Sequence, residues 1–362
     1  MTKSNKTMMI LSAIGIIFMV DNHCNEPLGF LTSLFPYNSF FMPMFVFISG
    51  YFFKPERTKN LLWYIFDKSK KLLKPYYLHN VILGGTLTFL ASFIGISWIG
   101  DFSFYNLVYV AFSWGTIFDI TSASWFIIML FCVVIFYAFI NSIYGKYTFT
   151  KDSVFLVLLI IIGAISVYLS MRGYSKDIRY ILALKVAFYI QFYHLGVWFK
   201  RYLDFITTRP LLVCGVSIGL SIVVHLFYTN NQLVFNSTAF MQSFTCQFVL
   251  LPFITSVIGI LFFLALSQFL TPLLGDNLLI NEISNNTLTI LTTHLIFFNV
   301  INLFFFFFYN FGFFQDFNVD LFQKSAWYSY NANPVYKWFY LMAGIFGPLL
   351  LKRSYIGKLL KI

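Results

Sequence analysis

The 362 residues are 59% hydrophobic and only 10% charged, with 49 Phe among an aromatic share of 22%, which excludes a soluble globular domain for want of polar surface. The net charge of +11 would suit nucleic acid, but the basic residues sit in short segments between apolar runs, the positive-inside pattern of a membrane protein. Four isolated cysteines, Cys24, Cys132, Cys214 and Cys246, offer no C-x-x-C spacing for zinc, a redox pair or a disulfide framework.

Ten apolar runs approach the roughly 20 residues that a bilayer requires: about 7–24, 38–53, 76–96, 123–143, 153–171, 180–199, 211–228, 247–268, 287–309 and 335–351. They predict an all-α polytopic membrane protein of about ten transmembrane helices, forming a single domain over 1–362. The first run ends in Asp21-Asn22-His23-Cys24-Asn25-Glu26 instead of a small-residue cleavage site, so it is expected to be retained. With the N-terminus inside, 18 of the 24 basic residues fall on the cytoplasmic side, which places both termini there. The segment 99–122 is too long and aromatic for a simple turn, so it lies on the outer surface or re-enters. No internal repeat is visible, which weakens a transporter built from inverted repeats.

One outer loop runs against the charge bias, since Arg172, Lys176 and Arg179 all lie on it. Three explanations stay open: a different local topology, an anionic ligand, or contact with lipid phosphates. Lys185, some five residues into the sixth run, either snorkels or joins Arg179 in an outer basic patch facing an anionic acceptor.

Ionisable groups within an apolar run are costly and mark candidate sites. His23 can act as a general base near neutral pH, with Glu26 at i+3 better placed than Asp21 to orient its ring. Sixteen residues of helical rise from Thr7 put it about 24 Å along its span, toward the outer side. An interfacial cap is the competing reading. Asp67, Lys70, Lys71 and Lys74 follow i, i+3, i+4, i+7 just before Pro75-Tyr76-Tyr77, so an α-helix would gather three ammonium groups on one stripe suited to phosphate. An amphipathic segment on anionic lipid explains the same pattern. Pro43 with Ser49-Gly50 in the second run permits either close helix packing or a cavity lined by freed backbone groups.

Of the other histidines, His294 lies inside an apolar run beside Thr287, Thr289, Thr292 and Thr293, and His79 follows Tyr76-Tyr77 at the start of the third run. His194 and His225 have no constellation in the sequence. No His-x-x-x-His pair occurs, so no metal is expected.

In their order these segments resemble the integral-membrane acyltransferase family three, in its sugar O-acetylase-like branch. The resemblance rests on His23, on Met42-Pro43-Met44-Phe45-Val46-Phe47-Ile48-Ser49-Gly50-Tyr51, on Lys70, Lys71 and Lys74 before Pro75-Tyr76, on Trp125-Phe126, on Gly196-Val197-Trp198-Phe199-Lys200-Arg201, and on Asn286 through His294. It departs where the family often has Arg eleven residues before the histidine, here Ser12, and in a basic motif holding only Lys. The resemblance implies transfer of an acyl group, usually acetyl, from cytoplasmic coenzyme A to a hydroxyl of an extracytoplasmic glycan or lipid-linked sugar, at the plasma (inner) membrane of a bacterial cell. It gives His23 the essential role, with Glu26 or Asp21 beside it, and assigns Lys70, Lys71 and Lys74 to the donor, with Tyr76 and His79 next to them. Trp125, Arg179, Lys185 and His294 are then candidates for the acceptor. Membrane lipids are the other expected partners and nucleic acid is not expected. The competing class is a transporter or flippase for an envelope precursor, in which His23, Lys185 and His294 would line a path.

Overall fold

The computed structural model describes residues 3–24, 33–144, 148–203, 208–228, 246, 248–326 and 334–354. Among them the fold is all helical, at 82% helix without strands, apart from an isolated bridge between Gly100 and Phe118. The longer helices are α1 (Lys3–Asn22), α2 (Tyr37–Tyr51), α3 (Leu61–Lys68), α4 (Lys74–Tyr77), α5 (Gly85–Ser92), α6 (Trp125–Tyr144), α7 (Phe149–Met171), α8 (Ile181–Tyr202), α9 (Pro210–Phe227), α10 (Leu251–Leu274), α11 (Leu278–Asn285), α12 (Thr287–Tyr309), α13 (Val319–Lys324) and α14 (Lys337–Arg353).

Among the described residues, six helices are long and apolar enough to cross a membrane: α6 with the 3₁₀ turn Asp119–Ser124 ahead of it, α7, α8, α9, α10 and α12. The other four predicted spans are helical but shorter, broken or polar at their ends. The first keeps Lys3-Ser-Asn-Lys6 at one end and Asp21-Asn22 at the other, the second is 15 residues long and the last 17. The third is interrupted by π-helical turns at Ser69–Leu73 and Leu78–Gly84. Pro75 accounts for the first interruption, because its ring crowds the carbonyl four residues back, and a wider turn just upstream relieves that clash. The segment 99–122 contains the Gly100–Phe118 bridge, a π-helical turn at Tyr105–Val110 and the 3₁₀ turn.

Contacts divide the chain into two compact units, Met1–Gly15, Gly29–Lys70 and Met129–Asn281 in the first, and Ile16–Leu28, Lys71–Ile128 and Glu282–Ile362 in the second. In the first, α8 is the central helix, packed on α2 and α7, while α10 packs on α2 and α9. The Ser-Gly stretch explains how α2 and α8 approach so closely. A Cβ at Gly50 would fall 1.9 Å from the Tyr193 carbonyl oxygen, and one at Gly196 would fall 2.1 Å from the Phe47 carbonyl oxygen. Both obstacles are backbone and cannot swing away. Gly50→Ala is therefore expected to cost about 1–3 kcal/mol or more, read as a lower Tm in detergent, and an unchanged Tm would contradict this packing account.

Pro43 removes the N–H that would bond the Ser39 carbonyl, and Ser256 Oγ of α10 donates to that carbonyl instead, at 2.5 Å. The freed backbone group is thus used in packing. A second buried network joins α7 to α8, where Asp152 Oδ2 accepts from Arg201 at 3.0 Å and from the Tyr202 hydroxyl at 2.7 Å. His194 belongs to it: Nε2 donates to the Asp152 carbonyl at 2.9 Å, leaving Nδ1 to accept from the Tyr137 hydroxyl at 2.7 Å. Both ring nitrogens are consumed by structure.

In the second unit, α12 packs on α14, on the 3₁₀ turn before α6 and on the π-turn Leu78–Gly84. Gly344 of α14 lets Val20 and Phe298 close in, at 2.8 and 2.5 Å from where a Cβ would stand. Asn299, Asn302 and Tyr340 add a buried polar chain between α12 and α14. This packing brings the end of α1 against α12.

Candidate active site

His23 occupies the turn that closes α1, its backbone N–H donating to the Val20 carbonyl at 3.1 Å. Its Nδ1 lies 2.6 Å from Nε2 of His294 on α12, with the ring planes 26° apart. The far nitrogen of His294, Nδ1, is 3.0 Å from the carbonyl oxygens of both Ile290 and Leu291. Carbonyls only accept, so that nitrogen carries the hydrogen, and in the neutral ring Nε2 is then an acceptor. The hydrogen bond is therefore donated by His23 Nδ1–H, and neutral His23 carries its basic lone pair on Nε2. His294 is fully buried and His23 only partly, so His23 is the more accessible member of the pair. Phe298 sets its edge against the His294 ring at 5.5 Å and 85°, fixing that ring's tilt.

His294 is seven residues past Thr287, about 10 Å of helical rise. The imidazole pair therefore lies closer to the Thr287 end of α12 than to its Tyr309 end. Arg353 of α14 bonds Glu282 of α11 at that same end, at 2.5 Å.

Asp21 is buried and meets the Lys337 ammonium at 3.0 Å. Lys337, inside the last predicted run, begins α14 with its side chain 9% exposed. Two charges withdrawn from water in this way must be paired, and the pair ties the end of α1 to the start of α14. Asp21 thus serves as the counter-ion of Lys337, while the orienting contact at His23 Nδ1 comes from His294. Glu26 lies outside the described residues.

The third predicted run supplies another imidazole. His79 Nδ1 lies 2.6 Å from Thr292 Oγ1, and that hydroxyl is itself within 3.0 and 3.1 Å of the Leu288 and Thr289 carbonyls. With the hydroxyl hydrogen given to one of those carbonyls, His79 Nδ1–H donates to the hydroxyl oxygen and Nε2 keeps the lone pair. Asn80, which the sequence did not single out, holds this segment in place. Its Nδ2 donates to the Tyr76 carbonyl at 3.0 Å and to Ser124 Oγ at 2.9 Å, while its Oδ1 accepts from Thr121 Oγ1 at 2.7 Å. A lone Asn near a span end carries no periodic signal, which is why its role emerges only with the fold.

Trp125 is buried at the start of α6, backed by Gly115 (φ +85°), where a Cβ would come 2.5 Å from the Trp125 Cα. Lys71 and Lys74 are exposed in the same unit as the histidines, and Lys70, also exposed, ends a segment of the other unit. Ser69–Leu73 is a π-turn, with more residues per revolution than an α-helix, so the α-helical period behind the expected stripe does not hold there. Arg179 and Lys185 share the first unit but not one surface. Arg179 is exposed and paired with Asp177 at 2.5 Å, its hydrogen bonds holding the Asp177 carboxyl down at about 2, whereas Lys185 is buried within α8. Arg172 bonds the Tyr168 hydroxyl at 3.2 Å and lies over that ring.

No curated protein and no solved structure matches the chain. A family model described as an acyltransferase domain matches residues 10–353, a span that contains His23, His79, His294 and every lysine of the basic segment. The chain, with its apolar helices, belongs to the membrane acyltransferases of acyltransferase family three.

Proposed function

We propose that the protein moves an acyl group, acetyl in the expected case, from cytoplasmic acyl-coenzyme A to a hydroxyl of an extracytoplasmic glycan or lipid-linked sugar. The observation that carries this reading is the His23–His294 hydrogen bond, which leaves His23 Nε2 as the basic nitrogen. In the proposed step, Nε2 takes the proton of the acceptor hydroxyl as its oxygen attacks the thioester carbonyl. The C–S bond then breaks, and the imidazolium returns the proton to the departing thiolate.

The reading includes ten membrane-crossing helices with both termini cytoplasmic, on the strength of the charge bias, in the plasma membrane of a bacterial cell. With that orientation the Thr287 end of α12 faces the cytoplasm. A thioester entering past Lys71 and Lys74, which would hold the donor's phosphates, then has only about 10 Å to descend to the histidine pair. The acceptor would arrive from the opposite side.

Purified protein in detergent, given acetyl-coenzyme A labelled in its acetyl group, is expected to release coenzyme A and pass label to a cell-envelope glycan acceptor. A flippase would move the acceptor across proteoliposomes without consuming the thioester. Acceptor movement with the thioester untouched would overturn the proposal.

A further inference from the structure

We infer that His79 and Tyr76 form a recognition site for a secondary amide, and that its ligand is the amide of the donor's pantetheine arm nearest the thioester. The inference rests on the acyl-coenzyme A reading above and names the part of the donor that this site holds. Both side chains are nearly inaccessible, Tyr76 at 0% and His79 at 1% exposure. Neither His79 Nε2 nor the Tyr76 hydroxyl has a hydrogen-bond partner among the described residues. Two such atoms on one short segment are uncommon, because a buried polar atom without a partner keeps its full desolvation cost.

The tautomer decides what each atom requires. With the Thr292 hydroxyl bonded to its own helix, His79 Nδ1–H is taken and Nε2 is an acceptor waiting for a donor. The Tyr76 phenol, three residues earlier, is a hydrogen-bond donor waiting for an acceptor. One acceptor and one donor three residues apart are the complement of an amide, whose N–H would meet His79 and whose carbonyl would meet Tyr76. Asn80 ties this segment down by bonding the Tyr76 carbonyl.

Its position fits the arm. His79 lies five residues beyond Lys74, and its partner Thr292 lies five residues past Thr287, both about 7–8 Å of helical rise. His294, which holds His23, is two residues farther along α12, another 3 Å or so. The site therefore stands between the lysines and the base. In the donor only two methylene groups separate the first amide from the sulfur, so an amide held here would bring the thioester toward His23.

The test compares small thioester donors on the wild-type protein before any substitution is made. S-acetyl-N-acetylcysteamine keeps the amide, and S-ethyl thioacetate lacks it. The amide-bearing donor is expected to be favoured by about 10–100-fold in kcat/KM, the range for leaving buried groups unpaired. His79→Leu and Tyr76→Phe should each shrink that preference while raising KM for acetyl-coenzyme A. Equal use of the two donors by wild type, or an undiminished preference in both variants, would overturn the inference, as it would if an internal water alone filled the site. Absence of any transfer from acetyl-coenzyme A would instead defeat the parent reading, and this inference with it.

Discussion

Turnover is expected to fall by about 10²–10⁴-fold in His23→Ala, the usual contribution of a positioned general base, with the donor KM little changed. The loss should sit in kcat because Lys71, Lys74, Tyr76 and His79 are untouched. The acid limb of the wild-type pH profile should show the same group: His23 must be unprotonated to accept the acceptor's proton, so rate is lost as pH falls and recovered as it rises. His294→Ala should give a smaller loss, on the order of 10-fold, since His23 keeps its place on α1 but loses the partner that selects its tautomer. If His294→Ala proved as inactive as His23→Ala, the two rings would have to be counted as one catalytic unit.

Lys337→Met is expected to destabilise the protein by about 3–5 kcal/mol, because it leaves the Asp21 carboxylate buried without its cation. Asp21 is fully buried and only 3.0 Å from the ammonium, so water cannot replace the lost charge cheaply. The double variant Asp21→Asn/Lys337→Met should recover most of that loss, since a buried pair is worth far less than the penalty for breaking it. Thermal unfolding in detergent, followed for the two single variants and the double, reads this directly. Additive losses in the double variant would mean that each residue acts through other contacts. Because the pair anchors the end of α1, Lys337→Met protein that still folds should also lose activity through displacement of His23.

The sequence disclosed most of the helices and several residues of the candidate site, and the reasons are physical. Long apolar runs such as 153–171 and 287–309 have one stable outcome in a bilayer, so α7 and α12 appear close to where their composition placed them. His23 and His294 each stood out as imidazoles in apolar surroundings, but their pairing joins positions 271 residues apart and follows no local pattern. The tautomer argument was likewise invisible, since it depends on which carbonyls of α12 the His294 ring can reach. The lysine segment failed in detail for a local reason: Pro75 and the π-turn ahead of it break the period that the i, i+3, i+4, i+7 count assumes. Lys337 drew no notice in the sequence because it lies at the edge of an apolar run, where a buried counter-ion cannot be foreseen. Gly50 and Gly196, noted in separate motifs, turned out to serve one helix crossing.

These results place the weight of the account on a single nitrogen, Nε2 of His23. Nitrogen-15 NMR of histidine-labelled protein in lipid, with the His23 signals assigned by their disappearance in His23→Ala, reports which ring nitrogen carries hydrogen. The expected result is a neutral His23 with hydrogen on Nδ1 and none on Nε2, and a His294 with hydrogen on Nδ1. A neutral His23 carrying its hydrogen on Nε2 would contradict it.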